Sequence, residues 1–235
     1  MTLLRLEGID VFHGDLQAVF DLSLRVDEGE TVALIGANGA GKSTILRTVI
    51  GLNRARRGRI EFAGVDTTAM RCDAVARRGV ALVPEGRRLF SSLSVQDNLL
   101  LGQAHARSGP WSLQSVLELF PAIRDFRHRL ATQISGGQQQ MVAIARALLS
   151  NPRLLLCDEL SLGLAPKVVD DIYASFAQIR DTGIGIVLVE QDVARACAAA
   201  NRVVCLLKGR ATLQGAAAQL PMSDVRNAYF GDDAS

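Results

Sequence analysis

The chain lacks the raw material of several protein classes. Four cysteines (Cys72, Cys157, Cys197, Cys205) make no CxxC pair and two lie in apolar, strand-like runs, so neither a zinc site nor a disulfide framework is indicated. The reading is of a reduced, cytosolic protein. No apolar run approaches the roughly 18 residues of a membrane span, and the opening stretch MTLLRLEGIDVFHG has no signal-peptide pattern, so any membrane role is expected to come through a partner. Charge of one sign is also scarce. A net charge of +2 does not suggest a nucleic-acid binder, and the basic clusters Arg54, Arg56, Arg57, Arg59 and Arg87, Arg88 are read as solvated surface. There are no repeats or low-complexity tracts.

What the sequence does have is an apolar share of 49% in 235 residues, enough for one large domain or a core with a subdomain. Short alternating segments from Thr2 to Val26, and Arg59 to Ala63, predict strands of an antiparallel sheet. Apolar runs at Val80–Val83, Leu154–Cys157, Ile186–Val189 and Val203–Leu207, with helical patterns between them, predict a largely parallel α/β sheet covered by helices. The interval 91–131 has helical spacing, a Gly109-Pro110 break before Trp111, and no convincing strand.

The centre of the pattern is Gly36-Ala37-Asn38-Gly39-Ala40-Gly41-Lys42-Ser43-Thr44, between the apolar run Thr31–Ile35 and the helical run that starts at Ile45. Strand, glycine turn and helix in that order make a phosphate loop: the glycines let backbone amides approach a polyphosphate, and the helix start points free amides and its positive dipole end at the anion. Lys42 adds a mobile charge for the β- and γ-phosphates, and the Ser43 hydroxyl suits Mg²⁺. Leu154–Cys157 then ends in Asp158 and Glu159. Asp158 can hold Mg²⁺ at the carboxyl end of a parallel strand, while Glu159 is placed to orient and deprotonate an attacking water. Ser135, ahead of Gly136, Gly137 and Gln138, is a helix N-cap that opens a second anion-facing helix end.

These three motifs, in this order, resemble the Walker A, signature and Walker B sequences of ABC-transporter ATPases, over nearly the whole chain. The resemblance implies a P-loop NTPase fold: an antiparallel β subdomain at 1–30 and 56–64, a RecA-like core at 31–55, 65–90 and 132–214, a helical subdomain at 91–131 and a C-terminal helical cap at 215–235. It implies MgATP hydrolysis, with ATP held between two ATPase subunits arranged head to tail, so that Ser135, Gly136 and Gly137 serve the nucleotide on the partner's loop. It also implies two transmembrane permease subunits, an extracytoplasmic solute-binding protein reached indirectly, and a peripheral place on the cytoplasmic face of the inner membrane. No nucleic-acid partner is expected.

Local wording narrows the match. Val83-Pro84-Glu85-Gly86-Arg87, Ser161 to Pro166 and Val189-Glu190-Gln191 resemble the F-type ATPase of branched-chain amino-acid importers. Glu85 stands where most of the superfamily has the glutamine that senses Mg²⁺, and Gln191 stands where it has the switch histidine; similar substitutions occur in the branched-chain group. A neutral amide cannot supply a histidine's titratable proton. His13 falls where a tyrosine usually stacks on adenine, with Phe12 beside it, and either ring could meet the base. Leu160 replaces the usual proline after Glu159. Two rivals remain at this level: a soluble ABC-type ATPase of DNA repair or translation, and a small-molecule phosphotransferase, which would leave Ser135 to Gln138 unexplained.

Overall fold

Strands built on an unbroken apolar run are buried on both faces, and four such strands build the centre of the molecule. In the computed structural model, which describes residues 1–104 and 106–230, these are β3 (Thr31–Ile35), β7 (Leu154–Asp158), β8 (Gly185–Glu190) and β9 (Arg202–Leu207). With β6 (Val80–Val83) and β10 (Arg210–Ala216) they form a sheet in the order β10-β9-β3-β8-β7-β6. Every neighbouring pair is parallel except β9 with β10. The sequence reading had no strand at β10, because this edge strand alternates between exposed and half-buried residues and carries little apolar signal.

A second, antiparallel sheet runs β2-β1-β4-β5, from β1 (Thr2–His13), β2 (Leu16–Asp27), β4 (Ala55–Phe62) and β5 (Val65–Asp66). Two details differ from expectation. β4 begins at Ala55 instead of Arg59, through an exposed Arg56-Arg57-Gly58 stretch that pairs with β1 across an irregular register. The short β5 hydrogen-bonds to β4, so Val65 and Asp66 belong with the antiparallel sheet and not with the core, where residues 65–90 had been placed.

The two faces of the parallel sheet serve different layers, as the two-residue period of a strand requires. Leu154, Leu156, Val187 and Val189 point towards the antiparallel sheet, with Ile45, Leu46 and Val49 of α1 (Lys42–Val49) packed in the same cluster. Leu155, Cys157, Ile186 and Leu188 point the other way, towards α6 (Gly136–Leu148) and α7 (Pro166–Asp181). The stretch 91–131 carries α3 (Val95–Gln103), α4 (Leu113–Leu119) and α5 (Ile123–Phe126), plus one isolated bridge between Ser94 and Leu130. Its Trp111, Phe120 and Phe126 are buried in that same second cluster, so these helices share a core with the sheet. On α6 the buried face is broad: Gln140, Val142 and Ala143 are buried beside Ile144, Ala145 and Leu148, while Met141 is only partly so. The remaining helices α2 (Cys72–Arg77), α8 (Val193–Ala199) and α9 (Met222–Phe230) flank β6 and the β3–β9 edge.

All four cysteines are free thiols, those of Cys157 and Cys205 buried. Burial, reinforced by the charges of Glu190 and Asp158, pushes the Cys157 thiol far above its ordinary range. No described helix is long and apolar enough to cross a membrane.

Phe176 on α7 is fully buried in the second cluster. Phe176→Ala is expected to cost about 3–5 kcal/mol of stability, read from the shift of a denaturant-unfolding midpoint. A loss below about 1 kcal/mol, the range of surface changes, would show that α7 does not close this core.

Candidate functional site

The parallel register brings the carboxyl ends of β3, β8 and β7 to one edge, where open α/β sheets place their ligands. Gly36 to Gly41 leave β3 there and α1 begins at Lys42. Two glycines are required by space as well as by conformation. A Cβ on Gly36 would stand 2.3 Å from the Leu206 carbonyl oxygen, and one on Gly41 (φ 99°) would stand 2.9 Å from that of Ala18. Ala37, Asn38 and Gly39 are exposed, while Ala40 is buried beneath the turn that it closes with Ala37. No side chain caps the start of α1 and its first turn has no acid, so its leading amides face open space. The loop floors a cavity of about 590 Å³, walled also by His13, Leu16, Phe20, Thr44 and Lys208.

Lys42 is buried, with its ammonium donating to the carbonyls of Gly36 (2.6 Å) and Ala37 (3.1 Å) and 3.9 Å from a Glu159 carboxylate oxygen. Burial holds its pKa below the ordinary lysine range, against the opposing pull of Glu159, Asp158 and Glu190. The Ser43 hydroxyl donates to Asp158 Oδ1 at 2.9 Å, across the end of β8. Burial also raises the Asp158 pKa; the Ser43 bond opposes this, and the charges of Glu159 and of the exposed Glu85 add to it. A hydroxyl and a carboxylate meeting beside further carboxylates form a hard oxygen set that a divalent cation would relieve of charge repulsion, so the residues fit Mg²⁺.

Glu159 takes a left-handed backbone (φ 49°), uncommon for a residue with a side chain. Its amide donates to the Val189 carbonyl at 3.1 Å, and Gln191 Nε2 donates to its Oε2 at 2.7 Å. Gln191 thus fixes the orientation of this carboxylate. His13 Nε2 lies 3.0 Å from Thr44 Oγ1 and lines the cavity. Phe12 does not: the Arg56 guanidinium covers its ring, 4.2 Å from the centroid.

Ser135, Gly136, Gly137 and Gln138 lie apart from this cavity, at the start of α6. Ser135 Oγ accepts from the Gln138 amide at 3.3 Å, while Gln138 Oε1 accepts from the Ser135 amide at 2.8 Å, a capping box. The Arg87 guanidinium lies beside Gly136, so a Cβ there would come within 3.1 Å of it. Gly137 is buried against Val168. Sequence reasoning missed Leu16, Phe20 and Lys208, whose places in the wall follow from the return of β2 and the β9–β10 turn and not from any local motif. It also assigned no role to Glu190, treated further below.

A second cavity of about 780 Å³ opens between α2 and β6 on one side and α3 and α6 on the other. Its wall includes Leu52, Phe90 and Leu101, all exposed, together with Cys72, Arg88 and Arg146. Arg146 donates to the Arg88 carbonyl at 3.0 Å and holds the loop after Glu85 against α6.

The family model described as ABC transporter matches residues 19–161. The high-affinity branched-chain amino acid transport ATP-binding protein BraG of Pseudomonas aeruginosa is 42% identical over 97% of this chain and all of its own. The arginine transport ATP-binding protein ArtP of Escherichia coli is 37% identical over 90% of this chain and 91% of its own. Among solved structures, the dimeric bacterial ABC transporter cassette MJ0796 superposes with a TM-score of 0.81 at 25% identity, covering 92% of this chain and 99% of that one. Loop, carboxylate pair and signature helix therefore have one common explanation: the chain belongs to the ABC transporter family and is an ATP-hydrolysing cassette of it.

Proposed function

We propose that this cassette powers an importer for branched-chain amino acids. The observation that carries the reading is the 42% identity to BraG over that relative's whole length, supported by the Glu85 and Gln191 wording of the chain. The cassette works from the cytoplasmic face of the membrane, paired head to tail with a second ATPase subunit and seated on two permease subunits that receive solute from an extracytoplasmic binding protein. The open apolar cavity by Phe90 and Leu101 is where a permease segment docks, next to the Glu85 loop that faces Asp158.

In the reaction, the amides of Gly39 to Thr44 and the Lys42 ammonium hold the phosphates. His13, already in the cavity wall, stacks on the base. Ser43 and Asp158, with Glu85, would hold Mg²⁺, which would supply charge neutralisation of the phosphates. Glu159 accepts a proton from water as its oxygen adds to the γ-phosphorus and ADP leaves. Gln191 holds Glu159 in place through their hydrogen bond; an amide cannot take the proton itself. Ser135, Gly136, Gly137 and Gln138 face the nucleotide held by the partner subunit.

Four measurements test these assignments. Lys42→Ala is expected to abolish nearly all nucleotide binding or turnover, since Lys42 is the only cation of the loop; near-wild-type hydrolysis would reject the phosphate site. Glu159→Gln should keep MgATP affinity and lose about 10²- to 10⁴-fold in turnover, accumulating an ATP-bound dimer in size-exclusion chromatography with the partner ATPase. Lost binding in a folded variant would reject Glu159 as the base. For the membrane complex, Phe90→Cys and Leu101→Cys should cross-link to permease cysteines, and leucine-loaded binding protein should stimulate ATP hydrolysis in proteoliposomes. Cross-links made only through α9, or stimulation by arginine alone, would overturn the docking face and the cargo respectively.

A further inference from the structure

Glu190 is a carboxylate with 1% of its surface exposed at the end of β8, and no chemistry of the phosphate site uses it. An isolated buried charge is costly, so its partners matter. Ser161 Oγ donates to Glu190 Oε2 at 2.8 Å, the Ser161 amide to Oε1 at 3.3 Å, and the Tyr173 hydroxyl of α7 to Oε1. Burial, and after it the charge of Glu190, raises the Tyr173 pKa far above its usual range, so the phenol stays a donor. Arg195 on α8 lies over the Tyr173 ring, 6.0 Å from its centroid.

Position makes this network more than a local repair. Three consecutive residues at the end of β8 each grip the turn that follows β7. The Val189 carbonyl accepts from the Glu159 amide, Glu190 accepts twice from Ser161, and Gln191 donates to the Glu159 side chain. Between the two gripped residues Leu160 is buried, so the turn is fixed at both ends and in the middle. With leucine in place of a proline, Leu160 does not lock its own φ, and Glu159 itself sits in a strained left-handed conformation. Within the turn the Leu162 amide donates to the Glu159 carbonyl at 3.5 Å and the Leu164 amide to the Ser161 carbonyl at 3.2 Å, and Glu190 adds two hydrogen bonds from outside it.

We propose that Glu190 is a positioning residue for ATP hydrolysis: through Ser161, and backed by Tyr173, it fixes the turn that aims the Glu159 carboxylate. This rests on the reading of Glu159 as the base. A misplacement on the order of 1 Å in such a group can cost about 10²-fold in rate, whereas substrate is held by the phosphate loop, to which Glu190 makes no hydrogen bond; its charge acts on Lys42, and Ser161→Ala leaves that charge in place. Loss of Glu190 should therefore appear in kcat and leave KM nearly unchanged.

The test is steady-state ATPase kinetics on the full chain, with its partner ATPase present. Glu190→Gln and Ser161→Ala are each expected to lower kcat about 10- to 100-fold, as loss of an orienting partner does, with KM for MgATP within about threefold. Because the Ser161 hydroxyl and the Glu190 carboxylate are the two ends of one hydrogen bond, the losses should not add, and the double variant should be about as slow as the slower single one. Tyr173→Phe, which removes one of the donors, should give a smaller loss of kcat. A wild-type kcat in Ser161→Ala, which removes one hydroxyl from a half-buried position, overturns the proposal even if Glu190→Gln does not fold. So does a rise in KM with unchanged kcat, or full additivity in the double variant. Glu159→Gln, measured beside them, separates the two ideas: if it stays active the base assignment fails, and if it is inactive while Glu190→Gln is normal only the positioning role fails.

Discussion

Backbone hydrogen bonding among three parallel strands sets the distances on which this site depends. Ile35 of β3 is in register with Glu190 of β8, and Asp158 of β7 with Val189. With neighbouring strands about 4.8 Å apart, the phosphate loop and the Asp158–Glu159 pair leave the sheet roughly 10 Å from each other, with the end of β8 between them. That gap is closed by the first turn of α1, whose Ser43 reaches Asp158, and by Gln191, whose amide reaches Glu159. A slip of one residue would turn every side chain to the opposite face. The register is protected against this because both faces are buried, one against the antiparallel sheet and the other against α6 and α7.

The electrostatics follow from the same convergence. One ammonium, Lys42, sits among the carboxylates of Glu159, Asp158 and Glu190. They are satisfied in different ways: Asp158 by a hydroxyl and a raised proton affinity, Glu159 by an amide and the lysine, and Glu190 by three hydrogen-bond donors. Two are left able to meet a cation or a water, while the third is fully occupied by the protein. Neighbouring carboxylates thus take different roles through their partners alone.

Legibility in the sequence followed chain distance. The phosphate loop, the Asp158–Glu159 pair and the Ser135 cap were readable because each is a short contiguous run whose flanks fix its secondary structure. The doubly buried strands were readable for the same reason. Two edge strands were not: β5 is two residues long, and β10 shows no continuous apolar run. Which of the two rings lines the cavity, His13 or Phe12, depends on Arg56, which is brought over Phe12 by the pairing of β4 with β1. The Glu190 network was legible only in pieces: Ser161 and Glu190 each stand in a run that carries the resemblance, but Ser161 and Tyr173 are 29 and 17 residues away from Glu190 and nothing local pairs them with it.

The apolar cavity beside Phe90 also bears on how the protein is made. Leu52, Phe90 and Leu101 face solvent there, and contiguous apolar surface of this kind drives aggregation when nothing covers it. If a permease segment docks there, as proposed above, a copy without its membrane partners carries this apolar surface uncovered. On that proposal, orphan copies would be natural substrates for chaperones and proteases.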